Sequence, residues 1–170
     1  MTVPVIVAAT PAWGVQYLTV ERAQGALFPA GTRFVPHPLE LDAGQQKAIE
    51  QASGQRVRIA RPRVWKATRN DQPGGWFFVD EVIGKHEFIT YAVAVGTEGV
   101  ILGIEIMDYR ETYGGEIRGA DWRKQFAGKR RSDPFKLEVD IRNITGATLS
   151  CRNVTNGVKR LLAMHALVLQ

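Results

Sequence analysis

Trp76-Phe-Phe-Val-Asp-Glu-Val-Ile83, Glu87-Phe-Ile-Thr-Tyr-Ala-Val-Ala-Val95 and Val100-Ile-Leu-Gly-Ile-Glu-Ile-Met-Asp-Tyr109 are runs rich in β-branched and aromatic residues, the last two joined only by Gly96-Thr97-Glu98-Gly99. Short runs of this composition, bounded by turn formers, read as strands. So short a join demands antiparallel neighbours, because a parallel crossover needs about a dozen residues or more. Upstream, Val64-Trp-Lys-Ala-Thr68 is separated from Trp76 by the turn-rich Asn70-Asp-Gln-Pro-Gly-Gly75 and continues the pattern. The middle of the chain is expected to be an antiparallel meander.

Helical signals lie on either side. Thr19 is a good N-cap, Glu21 falls in the first turn and Pro29 stops the run, so a short helix is expected with Val20, Ala23 and Leu27 facing inward. Residues 34–39 alternate loosely between prolines and read as a strand. Residues 42–52 open on Asp42, carry helix-forming Gln, Lys, Ala and Glu, and are followed by Gly54, which reads as a second helix. Towards the C-terminus, residues 120–126 predict a short helix closed by Gly128, and residues 135–139 one more strand. Residues 152–167 predict the longest helix, with Val154, Val158, Leu161, Leu162 and then Leu169 at near-helical spacing. The expected fold class is α+β: an antiparallel meander flanked by helices, the last of them starting just after the loop at residues 143–151.

Composition bounds the function without naming it. A chain of 170 residues with 45% hydrophobic and 23% charged residues can bury one substantial core. One domain is the default, here residues 15–170. The 22 Lys and Arg against 17 Asp and Glu give a net charge of +5, which favours anionic partners. The basic run Lys129-Arg130-Arg131 is short, lacks interleaved aromatics and reads as a solvated loop, so no nucleic-acid partner is expected. Cys151 is the lone cysteine, and His37, His86 and His165 stand at no familiar metal spacing, so surface or half-buried structural histidines are expected and no metal site. The short apolar run 3–9 followed by Thr10-Pro-Ala-Trp-Gly14 resembles the end of a secretory signal, although no Lys or Arg precedes Arg22. Residues 1–14 are accordingly read as a signal-peptide remnant and the protein as periplasmic or otherwise exported, with a buried N-terminal strand as the alternative.

Chemistry concentrates in Asn143-Ile-Thr145-Gly146-Ala147-Thr148-Leu149-Ser150-Cys151-Arg152, between a strand and the last helix. A helix N-terminus presents backbone N–H groups without intrahelical partners and a partial positive charge, which together attract a phosphate. Gly146 and Ala147 let a ligand approach the backbone. The same hydroxyls, Thr148 and Ser150, can instead cap the helix, which is the commoner use of Ser and Thr there.

Thr145-Gly146-Ala147-Thr148-Leu149-Ser150, with the apolar helix after it, resembles the FMN-binding domain family, which includes the flavin-carrying subunits of the sodium-pumping NADH:quinone oxidoreductase and of the Rnf electron-transport complex. In that family an Asp, two residues, Ser or Thr and then Gly-Ala-Thr form the motif. Its final Thr, here Thr148, receives FMN from FAD through a phosphoester bond made by a dedicated flavin transferase. Glu111-Thr112-Tyr113-Gly114-Gly115 resembles the family's Glu-Thr-Pro-Gly loop, with Tyr113 in place of proline. The resemblance spans residues 77–162 and departs from the pattern at Arg142, where the Asp is expected; the nearest acid is Asp140. It implies FMN as cofactor, with Thr145, Gly146, Ala147, Thr148, Leu149 and Ser150 at the phosphate and Glu111, Thr112 and Gly114 near the ring or ribityl chain. Arg142 would be free to pair with a phosphate, and Trp122 to stack on the flavin or simply fill core.

What the resemblance implies is an electron-transfer flavoprotein whose partners are the flavin transferase and a membrane-associated haem, quinone or iron–sulfur protein. No dinucleotide fingerprint or catalytic triad is present, which argues against an independent dehydrogenase or hydrolase. Two alternatives stay open on the sequence: a flavin enzyme holding FMN non-covalently, and a cofactor-free anion- or partner-binding module.

Overall fold

In the computed structural model, which describes residues 18–170, β1 (Arg33–Pro36), β2 (Arg63–Arg69), β3 (Gln72–Ile83), β4 (Phe88–Val95) and β5 (Ile101–Tyr109) form one five-stranded sheet in chain order. Every neighbouring pair is antiparallel. The expected meander is the observed sheet. The signal remnant expected at residues 1–14 lies outside the described residues.

Helices cover both faces of the sheet. Alternate residues of β4 divide between two hydrophobic clusters: Tyr91, Val93 and Val95 pack with α4 (Thr148–Met164) and Ile49 of α2 (Ala43–Ser53), while Ala92 and Ala94 pack with Ala23 of α1 (Val20–Leu27). That two-sided burial explains why β4 reads as a continuous apolar run rather than an alternation. The α1 and α2 starts are those expected: Thr19 Oγ1 accepts from Arg22 N, and Asp42 and Gln45 form a reciprocal capping box closed at the other end by Gly54 with φ 69°.

α4 lies very close to the sheet. A Cβ on Gly157 would come within 2.1 Å of Tyr91 Oη, so only glycine permits the approach. Tyr91 Oη donates to Asp80 Oδ2 at 2.5 Å, and Arg160 Nη2 reaches the same oxygen at 2.5 Å, tying β3, β4 and α4 together with a partly buried charge pair. Burial, reinforced by the negative Asp80, pushes the Tyr91 phenol well above its ordinary range and keeps it a donor. Val154, Val158, Leu161 and Leu162 are buried on this side, each contributing about 1.5–3 kcal/mol on the transfer scale.

Several expectations need correction. The last helix begins at Thr148, not at Arg152, so the hydroxyls of the Thr148–Ser150 segment lie inside its first turn. Its N-cap is Ala147, with no side-chain cap bond, which removes the capping role considered for Thr148 and Ser150. Residues 135–139 are not a strand but an irregular turn with one isolated bridge between Leu137 and Ile141. Phe135 and Glu138 have φ of 49° and 62°, and the Asp140 carboxylate accepts from the N–H groups of Phe135 and Lys136. A side chain there has captured the backbone donors a ladder would need. The turn expected across residues 70–75 shrinks to Asn70-Asp71, both with positive φ as a type I′ hairpin requires, and Gly74 forms a bulge opposite Ala67 and Thr68. Residues 120–126 form one α turn, α3 (Ala120–Arg123), continued as a 3-10 turn at Lys124–Phe126. Lys129 is half-buried on Asp140 at 2.9 Å rather than solvated, and His165 is buried rather than at the surface.

Candidate functional site

Strand β5 ends at Tyr109, and the chain turns into Glu111-Thr112-Tyr113 beside the start of α4. A cavity of about 320 Å³ opens there, lined by Lys85 and His86 from the β3–β4 turn, by Glu111, Thr112 and Tyr113, and by Gly146, Ala147, Thr148, Leu149 and Ser150. The two segments singled out in the sequence thus face each other across one space.

Each wall has a local cause. Ile144 to Ala147 is a tight turn closed by Ala147 N donating to Ile144 O at 3.0 Å, with Gly146 at φ 84°. A Cβ at Gly146 would meet nothing within 4 Å, so glycine is required there by the backbone angle and the space beside it stays open to a ligand. The first intrahelical bond of α4 runs from Cys151 N to Ala147 O at 2.9 Å. The N–H groups of Thr148, Leu149 and Ser150 precede it, at the positive end of the helix. An anion is the natural occupant of that end of the cavity.

The opposite wall is clamped to the first. Tyr109 Oη donates to Tyr113 O at 2.6 Å and lies 3.4 Å from Ser150 Oγ. Burial, partly opposed by the Ser150 contact, raises the Tyr109 phenol above its ordinary range. Gly114, with φ 81°, packs so tightly that a Cβ would sit 2.1 Å from Ala147 Cβ and 2.9 Å from Tyr109 Oη. Gly114 therefore sits behind the cavity and sets the separation of its walls.

Glu111 supports the third side. Its Oε1 accepts from His86 N at 2.7 Å and Glu87 N at 3.1 Å. Burial alone would raise this carboxyl, but the backbone N–H groups of His86, Glu87 and Lys85 outweigh it and hold the group below its ordinary value. The carboxylate is engaged by the β3–β4 turn while the residue lines the cavity. Gly84 leaves the room, since a Cβ there would lie 2.4 Å from Glu111 Oε1.

Thr148 is half-buried, and its Oγ1 accepts from Asn143 Nδ2 at 3.0 Å. Thr145 is exposed and does not line the cavity. Arg142 does not line it either: its N–H donates to Gln125 Oε1 at 2.7 Å, and its carbonyl accepts from Trp122 Nε1 at 2.8 Å. Asp140 is held in the Phe135–Ile141 turn by Lys129 and two backbone donors, so it does not take the place of the missing acid. Trp122 is buried edge-to-face on Phe126 at 5.1 Å and is core, which excludes the stacking role. Sequence reasoning missed Lys85, His86, Tyr109, Tyr113 and Asn143. The first two arrive through strand register, which spacing along the chain does not reveal.

Residues 84–163 match the family model described as the FMN-binding domain. Over these residues the chain resembles the FMN-binding domain family. The matched stretch opens at the β3–β4 turn, includes both principal cavity walls and ends one residue before the end of α4. Two solved structures resemble this chain over most of its length. NqrC of Shewanella oneidensis superposes with a TM-score of 0.58 at 16% identity, over 85% of this chain and 88% of that one. The corresponding subunit of the Na(+)-translocating NADH-quinone reductase from Parabacteroides distasonis gives 0.52 at 18%, over 79% and 75%. At these identities the likeness is one of fold, and it extends beyond the matched segment to the N-terminal half of the sheet. No curated protein matches the sequence.

Proposed function

We propose that the domain carries FMN in the cavity between the Glu111–Tyr113 loop and the start of α4, joined to Thr148 Oγ1 through its phosphate, and acts as an electron-transfer carrier. The observation that carries this reading is the meeting of the two segments around one space, with a hydroxyl and the free end of a 17-residue helix on one wall. The lining suits a phosphorylated, partly apolar ligand. Lys85 and the first-turn N–H groups of α4 offer positive charge, Thr112, Thr148 and Ser150 offer hydroxyls, and Tyr113, Ala147 and Leu149 offer apolar surface. A volume of about 320 Å³ lies at the low end of small-molecule sites, as expected where part of the ligand stays outside.

In this reading Thr148, Gly146, Ala147, Leu149 and Ser150 hold the phosphate end, with Thr145 shaping the turn from outside. Thr112 and Tyr113 meet the ring or ribityl chain. Glu111 fixes the position of Lys85 and His86, and Gly114 holds the walls at their spacing. FMN would supply the redox chemistry, and the protein its exposure and potential. Tyr113, 75% exposed at the rim, and Leu149 leave the outer edge open to a partner protein. A flavin transferase is the partner for maturation, and a membrane-associated haem, quinone or iron–sulfur protein the redox partner. One of the two similar structures is a subunit of a Na(+)-translocating NADH-quinone reductase, which favours that setting. The leader-like residues 1–14 favour export, and among the described residues no helix is long and apolar enough to cross a membrane.

The test is to express the protein with a flavin transferase and precipitate it with acid. Flavin that stays with the pellet, with a mass gain equal to FMN less water, supports attachment. Flavin released to the supernatant points to non-covalent FMN, and a colourless protein that takes up no FMN rejects the cofactor assignment.

A further inference from the structure

Attachment at Thr148 needs its hydroxyl held in one orientation, and the cavity wall itself does not do this, because the helix is capped by Ala147 without a side-chain bond. The group that touches the hydroxyl comes from behind the wall. Asn143 Nδ2 lies 3.0 Å from Thr148 Oγ1, while Asn143 Oδ1 is buried with no hydrogen-bond partner. A buried amide oxygen left without a donor costs stability, so a carboxamide at this place calls for an explanation.

The chemistry of the threonine oxygen offers one. As a free hydroxyl it carries a proton and can donate; as a phosphoester oxygen it carries none and can only accept. A carboxamide presents both an acceptor and a donor, exchanged by a half-turn about its last torsion. A carboxylate could only accept, so it would serve the hydroxyl and not the ester, and an ammonium could only donate, so it could not take the hydroxyl's proton in a hydrogen bond.

We infer that Asn143 is a positioning residue for Thr148: with its carboxamide turned half round from the orientation above, Oδ1 accepts from the hydroxyl during attachment, and in the orientation above Nδ2 donates to the ester oxygen afterwards. The inference rests on the covalent reading given above. In the attachment step the Thr148 Oγ1–phosphorus bond forms and the bond from that phosphorus to the bridging oxygen of FAD breaks. AMP leaves with the electron pair, and the hydroxyl proton passes to solvent or to a base of the transferase. Asn143 does not take the proton; it fixes the direction of the oxygen lone pair.

The experiment incubates the full chain and the variants N143L, N143D and T148A with FAD and a flavin transferase, following covalent flavin by intact mass over time. N143L keeps the shape and removes both polar groups, so its loading should slow roughly tenfold, about the worth of one hydrogen bond to a polar group. N143D restores the acceptor and should load clearly faster than N143L. Once loaded, N143D should melt below loaded wild type, because its carboxylate faces an ester oxygen with no proton between them. Wild-type loading by N143L, or equal loss in N143L and N143D, overturns the inference while leaving attachment intact. Equal melting of loaded N143D and loaded wild type overturns the donor half. No mass gain in the wild type rejects the attachment reading itself, and the inference with it.

Discussion

At the scale of single residues, Thr148 and Glu111 separate ligand chemistry from architecture. Thr148→Ala should abolish the mass gain of flavin attachment while the domain stays folded. Because Thr148 is not the helix cap, the substitution removes only its bond to Asn143, worth about 1 kcal/mol, which a urea midpoint will measure. Glu111 tests the opposite case. Backbone N–H groups hold its folded pKa below the ordinary 4.5, so its contribution to stability is present above that value and is lost as pH falls through the folded value. Glu111→Gln replaces one acceptor oxygen by a donor facing the same turn, so the acid-side decline should flatten in urea titrations run from about pH 6 to about pH 3. An unchanged pH profile would show that the contacts to His86 and Glu87 contribute nothing.

Between elements, two glycines set the distances. Gly114→Ala would press a methyl group against Ala147 and require a left-handed backbone of an L-residue, so the Glu111–Tyr113 loop must lift from α4. A loss of about 1–3 kcal/mol is expected from overpacking, with flavin loading reduced although no lining residue has changed. Gly157→Ala forces α4 from Tyr91 further along the same helix, at a similar cost of about 1–3 kcal/mol. Because it acts at the middle of the helix and not at its start, loading at Thr148 should survive in the folded fraction. Comparing the two variants by calorimetry and by flavin mass separates the spacing of the cavity from the stability of the domain.

On the scale of the whole molecule, the question is what reaches the flavin. A cavity of about 320 Å³ has room for part of one nucleotide-sized ligand and not for a second beside it. The loaded protein should therefore be reduced slowly or not at all by free NADH in stopped-flow mixing, whereas a membrane redox partner should exchange electrons with it quickly. Fast stoichiometric reduction by NADH alone would replace the carrier reading with that of a flavin enzyme.

Local sequence rules determined the meander from β2 to β5, because the joins between those strands are short and each run carries the composition of a strand; they determined equally the caps at Thr19 and Asp42 and the place of the last helix's N-terminus to within a few residues. The resemblance of residues 111–115 and 145–150 to a family motif could be read without a structure, and so could the departure at Arg142. Tertiary structure decided the rest, since it depends on contacts between residues far apart in the chain. The pairing of β3 with β4 and of β4 with β5 brings Lys85 and His86 beside Glu111. Tyr109 and Gly114 hold that loop against Ala147, and the capture of backbone donors by Asp140 turned an expected strand into a turn. Which polar group meets Thr148 was decided the same way. Asn143 is close in sequence, but the tight turn at Gly146 folds it back onto the hydroxyl, and a backbone angle of that kind is a property of the folded chain.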